Sequence, residues 1–288
     1  AAPAPEWPAP RPEPGRCPHG GVEIVTTVTD GAGFLLRTAG GIFRFPGCIT
    51  NLGHGRPWRG YMSRVSNLYE YLEGGETGDP QRLIAYLDGS DMVWAGCSEE
   101  EFISRYREIV RRSGKSVVFG AELLCSEPPR KAFEFPTCTG VPPVPSWASE
   151  SVDIHDLGTG FWLRHERCPR WGLFGCDTPP ALRHLNGGFF MGPVGVIKKM
   201  LARALRDFYW TKGTGSDQAV FTDFFVEPKT NITLDYTARL VLNLDGLKED
   251  VLTVRGSGVF GPLGGTRVCF LHAQGGSKKR FLRDDVLP

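Results

Sequence analysis

The sequence lacks several features that would identify its function at once. No stretch of the 288 residues approaches about 18 consecutive apolar residues, so we expect no membrane-spanning helix among them. The eight cysteines include no C-x-x-C pair, which argues against the common structural zinc sites. The formal net charge is only +1, which argues against nonspecific binding to nucleic acid or to an anionic membrane.

The chain divides into a proline-rich start and one folded domain. Residues 1–16 contain six prolines and cannot form a helix or a sheet, which predicts an extended stem or linker. Because the chain starts at Ala1 and not at methionine, we expect a processed or trimmed form. The 288 residues could form one large α/β domain or two small ones, and 41% hydrophobic and 23% charged residues are normal for a globular protein. We expect residues 17–288 to form a single domain.

Predicted strands and helices alternate along this domain. The predicted strands cover 22–28, 83–87, 116–121, 184–191 and 267–271, and a further apolar segment covers 92–95. The predicted helices cover 61–72, 99–114, 194–208 and 217–225. This alternation indicates an α/β fold with a mainly parallel sheet that helices cover on both faces.

Two aspartates directly follow the predicted strand 83–87, in the order Asp88-Gly89-Ser90-Asp91. Two ionised carboxylates cannot both be buried unpaired, because desolvation is too costly, so they are either exposed or neutralised by a cation. Hard divalent ions prefer carboxylate oxygen and share their ligands with phosphate. Ligands of parallel sheets also collect at the C-terminal ends of strands. The motif therefore favours a nucleotide-diphosphate site, with an ordinary acidic turn as the alternative.

Cysteine usage bears on the compartment. Cys97 and Cys269 lie in or beside strand-like runs, where plain buried thiols are expected. Four more cysteines lie in a long proline-rich stretch, where disulfides would favour an oxidising compartment: Cys125, Cys138, Cys168 and Cys176. With the sequon Asn231-Ile232-Thr233, they predict the endoplasmic reticulum or Golgi lumen, or secretion. The cytoplasm of a virus-infected or microbial cell is the alternative.

Five segments occur in an order and spacing that resemble a known family. They are Tyr86–Val93, Val118–Cys125, Leu185–Phe189, Ser216–Gln218 and His272–Lys278. In the order and spacing of these segments, the chain resembles the glycosyltransferase domain of the procollagen lysyl hydroxylases and their stand-alone relatives, over about residues 22–282. The resemblance implies that the domain has a GT-A, Rossmann-like fold and binds a nucleotide sugar together with Mn²⁺.

The resemblance implies a metal centre of Asp88, Asp91 and His272, with Asp88 also near the ribose. The chemistry agrees, because two carboxylates, one imidazole and two diphosphate oxygens leave one position of an octahedral shell for water. The imidazole favours Mn²⁺ over Mg²⁺, which is the alternative ion. A core histidine at the end of a strand is the other interpretation of His272.

The resemblance also implies contacts to the donor nucleotide from Val25, Thr26, Thr27, Trp58, Arg64, Gly275 and Lys278. The segment 25–27 matches the part of the first strand that lines the uracil. Trp58 matches a tryptophan near the nucleotide, and simple packing is its alternative role. Arg64 lies roughly where the family has a lysine. Lys278 matches a lysine that contacts phosphate, with a solvated surface charge as the alternative.

Three residues are implied to act on the acceptor or at the transferred sugar: Asp217, Glu122 and Asn186. Asp217 would position the acceptor hydroxyl, with a helix N-cap as its alternative role. Glu122 would hold the acceptor or the donor sugar, or would serve as the structural partner of an arginine. Asn186 offers an amide where a sugar can approach the backbone, with a tight turn as the alternative.

The predicted function is transfer of a hexose, glucose or galactose, from a UDP-sugar to a hydroxyl acceptor. Glycosylated hydroxylysine of a collagen-like protein is one candidate acceptor. A retaining, front-face route, in which the leaving phosphate takes the proton, is the working hypothesis. Departures from the family pattern fall in the sugar and acceptor pockets: Ser126 follows Cys125, a single carboxylate precedes Gln218, and Ala273-Gln274 follow His272.

Three other functions compete with this prediction. A non-catalytic GT-A-like domain that binds glycan or protein would usually have lost the metal carboxylates, which are present here. A nucleotidyltransferase would normally carry a glycine-rich or basic phosphate loop, which is missing between Val25 and Gly33. An inverting galactosyltransferase is the nearest alternative among the glycosyltransferases.

Overall fold

The computed structural model describes residues 21–29, 41–42, 45–74, 79–123, 140–148, 182–210, 216–247, 252–255, 258–261 and 267–277. Several predictions concern positions outside these ranges: the stem 1–16, Lys278 and the cysteines Cys125, Cys138, Cys168 and Cys176.

Within the described ranges, the strands are β1 (Val22–Thr26), β2 (Cys48–Asn51), β3 (Leu83–Leu87), β4 (Met92–Trp94), β5 (Val117–Glu122), β6 (His184–Pro193), β7 (Ile232–Asp235), β8 (Val241–Asn243), β9 (Thr253–Arg255), β10 (Gly258–Phe260) and β11 (Phe270–His272). The helices are α1 (Met62–Glu73), α2 (Glu99–Ser113), α3 (Val194–Trp210) and α4 (Asp217–Val226). All four predicted helices agree with these bounds to within two residues. None of the four is long and apolar enough to cross a bilayer.

The main sheet has six strands in the order β2-β1-β3-β6-β5-β7. The pairs β1–β2, β1–β3 and β5–β7 are parallel, whereas β6 runs antiparallel to both of its neighbours. Five strands of this described sheet therefore point in one direction. The predicted α/β fold with a mainly parallel mixed sheet is confirmed, and a single domain fits it.

Apolar side chains cover both faces of this sheet, as predicted. Along β3, Ile84 and Tyr86 pack into a core with α1, α3 and α4, whereas Ala85 and Leu87 pack on the opposite face against α2. This alternation is the period of two that a strand imposes on its side chains. Helix α2 begins with a capping box at Ser98 and ends at Gly114, whose φ of 67° suits glycine.

A second sheet of three strands, in the order β4-β11-β8, brings distant segments together. Strand β4 follows Asp91 directly and pairs antiparallel with β11, so that Met92 lies opposite His272. Strand β11 also runs parallel to β8, so that His272 lies beside Asn243. This pairing carries His272 to the end of β3.

Two sequence predictions are corrected in this region. The predicted strand 267–271 is instead the shorter β11, because Arg267 forms only an isolated bridge with Phe260. Cys97 and Cys269 are not thiols but form a disulfide, since β4 and β11 hold their Cα atoms 4.8 Å apart. Both cysteines are fully buried. Cys48 is also disulfide-bonded.

The Cys97–Cys269 disulfide closes a loop of 172 residues and so restricts the unfolded chain strongly. We expect the double variant Cys97→Ala, Cys269→Ala to lose about 2–5 kcal/mol of unfolding free energy. Urea unfolding of the oxidised protein measures this loss, with the exposed Ser104→Ala as control. An unchanged unfolding midpoint would contradict a stabilising role.

The buried imidazole of His184 gives a pH-dependent stability. Burial lowers the pKa of His184 to about 4, and the charge of Arg183 adds to this effect. Between about pH 6.5 and pH 4 the unfolded chain therefore binds a proton that the folded protein does not, and stability falls as the pH falls.

We expect the variant His184→Gln to remove up to about 1.4 kcal/mol per pH unit from the slope of stability against pH in this window. Denaturant unfolding at a series of pH values gives the slope, and His54→Gln at an exposed position is the matched control. Equal slopes for the wild type and His184→Gln would refute this assignment.

Candidate metal centre

Three side chains predicted to bind a metal converge at the C-terminal end of β3. One ligand atom from each of Asp88, Asp91 and His272 lies within 4.8 Å of the others. Nε2 of His272 is 3.2 Å from Oδ1 of Asp91, and both side chains are buried. The backbone holds this arrangement, because the Asp88 N–H donates to the Gly188 carbonyl and the Ala273 N–H donates to the Asp91 carbonyl.

The imidazole of His272 is oriented by Asn243. The Nδ2 of Asn243 donates to the Ala121 carbonyl at 2.8 Å, which turns its Oδ1 towards Nδ1 of His272 at 2.7 Å. Nδ1 therefore carries the proton in this hydrogen bond, and Nε2 is left with its lone pair when the ring is neutral. Nε2 faces Oδ1 of Asp91 at 3.2 Å. This is the tautomer that a metal ligand requires.

The electrostatics of the centre suit a cation. Burial by itself lowers the pKa of His272, but the charges of Asp91, Asp88 and Glu122 and the hydrogen bond to Asp91 outweigh it and raise the pKa overall. The surroundings of the imidazole are therefore strongly negative. Two carboxylates and one imidazole are a donor set that fits Mn²⁺ or Mg²⁺.

Strand β6 approaches the imidazole closely at Gly188. A Cβ atom at Gly188 would lie 2.3 Å from Cε1 and 2.9 Å from Nε2 of His272. Only glycine therefore leaves room for the ring in this position. The predicted role of the Asn186-Gly187-Gly188 segment as an approach for a sugar remains a prediction, but Gly188 has a definite packing role.

Arg64 lies against the centre in a buried position. Its Nη1 donates to Oδ2 of Asp88 at 3.0 Å, and its Nη2 donates to Oδ1 of Asp217 at 2.6 Å. Nε also donates to the second oxygen of Asp217, which completes a two-pronged ion pair. The guanidinium lies 5.4 Å from the ring centre of Tyr61 and 6.0 Å from that of Tyr86. One arginine thus connects Asp88, a candidate metal ligand, with Asp217.

Asp217 is not the N-cap of α4. Ser216 is the cap residue, and its hydroxyl accepts from the Ala219 N–H. Asp217 is the first residue of the helix and is buried. The capping alternative is therefore wrong, and the partner of this carboxylate is Arg64, whose role the sequence did not predict.

Glu122 is buried among amide side chains. Its carboxylate accepts hydrogen bonds from Asn186 at 3.0 Å, Gln218 at 2.8 Å and Gln274 at 3.1 Å. The roles of both glutamines were missed, although each lies inside a motif that the resemblance rests on. We call the three amides around Glu122 the amide ring. Because Gln218 directly follows Asp217, the amide ring borders the ion pair between Arg64 and Asp217.

The residues predicted to contact a nucleotide occupy different environments. Thr26 accepts a hydrogen bond from the Gly89 N–H, and the hydroxyls of Thr27 and Tyr86 lie 3.0 Å apart. Val25 is fully buried in the core. Trp58 is 49% exposed and packs edge-on against Tyr61, which is also exposed. Gly275, with a φ of 56°, begins a short 3₁₀ turn after β11. Contact with a nucleotide remains a prediction for all of them.

Comparison with known proteins gives one distant similarity. No family model matches the chain. Over 238 residues, or 79% of its length, the chain is 24% identical to the procollagen-lysine,2-oxoglutarate 5-dioxygenase of Drosophila melanogaster. The matched region is 26% of that protein, so the chain spans about a quarter of the length of this curated relative. The chain therefore has a distant sequence similarity to this procollagen-lysine dioxygenase over most of its own length.

Proposed function

We propose that this chain is a metal-dependent glycosyltransferase domain of the GT-A type. It transfers a hexose, glucose or galactose, from a UDP-sugar to a hydroxyl acceptor. The observation that carries the proposal is the buried imidazole of His272, whose Nε2 faces Asp91 at 3.2 Å beside Asp88. The position of this centre, at the C-terminal end of β3, is where open α/β sheets bind their ligands.

The donor set argues against oxygenase chemistry at this centre. The relative is named as a dioxygenase, and non-haem iron oxygenases typically use two histidines and one carboxylate. The centre here has the opposite ratio, with two carboxylates and one histidine. Carboxylate-rich sites suit Mn²⁺ or Mg²⁺ bound together with phosphate oxygens. The proposal is therefore transfer chemistry on a nucleotide diphosphate.

In the proposed mechanism, Asp88, Asp91 and His272 hold the ion, and Asn243 keeps Nε2 of His272 available for it. When bound, Mn²⁺ supplies Lewis-acid stabilisation of the negative charge on the departing diphosphate. Arg64 adds a fixed positive charge on the side of Asp88. Lys278 is proposed to add another positive charge beside the phosphates.

The acceptor and the sugar are proposed to bind next to Asp217 and the amide ring. Glu122 is held by Asn186, Gln218 and Gln274, so its carboxylate is fixed in place before any ligand arrives. Fixed polar groups of this kind can orient sugar hydroxyls without reorganising. A retaining, front-face route, in which the leaving phosphate takes the acceptor proton, remains our working mechanism.

The acceptor and the compartment are proposed from two further observations. The Cys97–Cys269 disulfide favours an oxidising compartment, which supports the lumen of the secretory pathway or secretion. The name of the relative suggests a collagen-like acceptor, such as glycosylated hydroxylysine. A UDP-sugar and a hydroxyl acceptor are thus the proposed substrates.

We expect the protein to release UDP from UDP-glucose or UDP-galactose in the presence of Mn²⁺ and a hydroxylysine-containing acceptor. The variant Asp91→Asn should lower this rate by about 100-fold or more, because a ligand of the ion and a negative charge are weakened together. A coupled assay of released UDP measures it. The exposed Asp79→Asn is the matched control and should keep the wild-type rate. An undiminished rate in Asp91→Asn would eliminate the metal assignment.

We also expect the variant Gly188→Ala to weaken Mn²⁺ binding by about 10–100-fold, because the added methyl displaces the imidazole of His272. Calorimetric titration with Mn²⁺ gives the affinity without any substrate. Gly74→Ala is the matched control, since a Cβ there would meet other atoms only at 3.6 Å. Equal affinities for Gly188→Ala and the wild type would show that the ion does not use this imidazole.

A further inference from the structure

Arg64 is already engaged with the carboxylate that the ion would use. Its Nη1 is 3.0 Å from Oδ2 of Asp88, and only 8% of the Arg64 side chain is exposed. A carboxylate oxygen of Asp88 belongs to the cluster in which all three ligand atoms lie within 4.8 Å of one another. An ion in this centre would therefore share Asp88 with a guanidinium.

The surrounding residues prevent Arg64 from simply swinging away. Both oxygens of Asp217 accept from its guanidinium, and Asp217 is itself buried at the start of α4. The rings of Tyr61 and Tyr86 lie near the guanidinium as well. Removing a buried guanidinium from its paired carboxylate is costly, because each charge would be left uncompensated. Arg64 is thus part of the centre and not a mobile surface charge.

Two cations beside one carboxylate repel each other, and this repulsion is strong away from bulk water. A divalent ion alone must bind against the charge of Arg64. A diphosphate brings additional negative charge to the same place and can satisfy the ion and the guanidinium together. Binding of the ion then depends on binding of the diphosphate, and by linkage the reverse also holds.

We propose that Arg64, positioned by Asp217, is a built-in counter-cation that competes with the divalent ion for Asp88 and thereby makes retention of the ion depend on a bound diphosphate. The diphosphate part of this inference rests on the proposed function. Asp217 acts in it through Arg64, as a positioning residue. The ion would be held weakly before the nucleotide sugar binds and again after UDP leaves.

The test compares Mn²⁺ affinities with and without UDP, measured from the electron paramagnetic resonance signal of free Mn²⁺, with binding by UDP itself subtracted. Four proteins are compared: the wild type, Asp217→Asn, the double variant Arg64→Met with Asp217→Asn, and the control Arg56→Met. Arg56 is an exposed arginine that precedes α1 and pairs with Glu70 in that helix. Circular dichroism checks that each variant is folded.

Opposite effects are expected for the two variants at the centre. The double variant should bind Mn²⁺ alone about fivefold more tightly than the wild type, because the competing charge is gone. Asp217→Asn should bind Mn²⁺ alone more weakly, because more of the Arg64 charge falls on Asp88. The enhancement of Mn²⁺ binding by UDP should drop about tenfold in the double variant and stay unchanged in Arg56→Met.

A double variant that binds Mn²⁺ alone no more tightly than the wild type would overturn the inference, since a purely structural role weakens binding in both variants. If the double variant does not fold, Arg64→Lys replaces it, because a single ammonium cannot bridge Asp88 and Asp217 as the fork does. It should bind Mn²⁺ alone at least about twofold more tightly, and equal or weaker binding would refute the competition.

Failure of the proposed function is a separate outcome. If UDP has no effect on Mn²⁺ binding by the wild type, the diphosphate part is refuted together with the proposed nucleotide. The affinities for Mn²⁺ alone still decide whether Arg64 competes with the ion. The affinities measured without UDP therefore test the competition by Arg64, and those measured with UDP test the diphosphate part.

Discussion

The antiparallel pairing of β4 with β11 is the interaction on which the whole centre depends. It joins two segments far apart in the chain, one beginning after Asp91 and the other ending at His272. The Cys97–Cys269 disulfide fastens the opposite end of the same ladder, away from the carboxylates. A slip of one residue would turn His272 to the other face of the small sheet. The register of one short pairing therefore decides whether the imidazole meets Asp91.

Buried carboxylates are stabilised in two different ways around this ladder. Glu122 accepts hydrogen bonds from three neutral amides, which hold it in place without changing its charge. Asp88 and Asp217 share the guanidinium of Arg64, which neutralises their negative charge but also engages their carboxylate oxygens. Amides stabilise a carboxylate by hydrogen bonds alone, whereas an arginine can be rivalled by another cation. The first arrangement is fixed, whereas the second would be disturbed by any further cation that binds beside Asp88.

Local signals account for the parts of the fold that could be predicted from the sequence. Helix α2 has its own start and stop signals in Ser98 and Gly114, and both act as the pattern indicates. The run 83–87 is apolar, short and closed by a turn, and it is β3 without any shift of its ends. The residue types that suit a metal site were also visible, because Asp88 follows this strand directly and Asp91 lies three residues later.

The missing parts depend on long-range pairing that no local pattern encodes. The direction of β6 is an example, because an apolar strand looks the same whichever way it runs. The disulfide joins cysteines 172 positions apart, and neither has a spacing that marks it. Asn243 is one amide at the end of a short apolar strand, yet it sets the tautomer of His272. Such residues act through a partner that only the tertiary structure supplies.

Gln274 is visible as a feature of the sequence, but its contact is seen only in the fold. It is a departure from the pattern that the chain otherwise resembles, where a shorter amide follows the histidine. Gln274 lies two residues after β11, and Nε2 of its longer side chain donates to Oε2 of Glu122 at 3.1 Å. The second residue after the ladder therefore links the segment that carries His272 to Glu122. Because the matched relative shares only 24% identity, its own pocket is a poor guide here. Gln274 thus adds a third amide donor to the Glu122 carboxylate, and a sugar proposed to bind beside this carboxylate must fit next to all three amides.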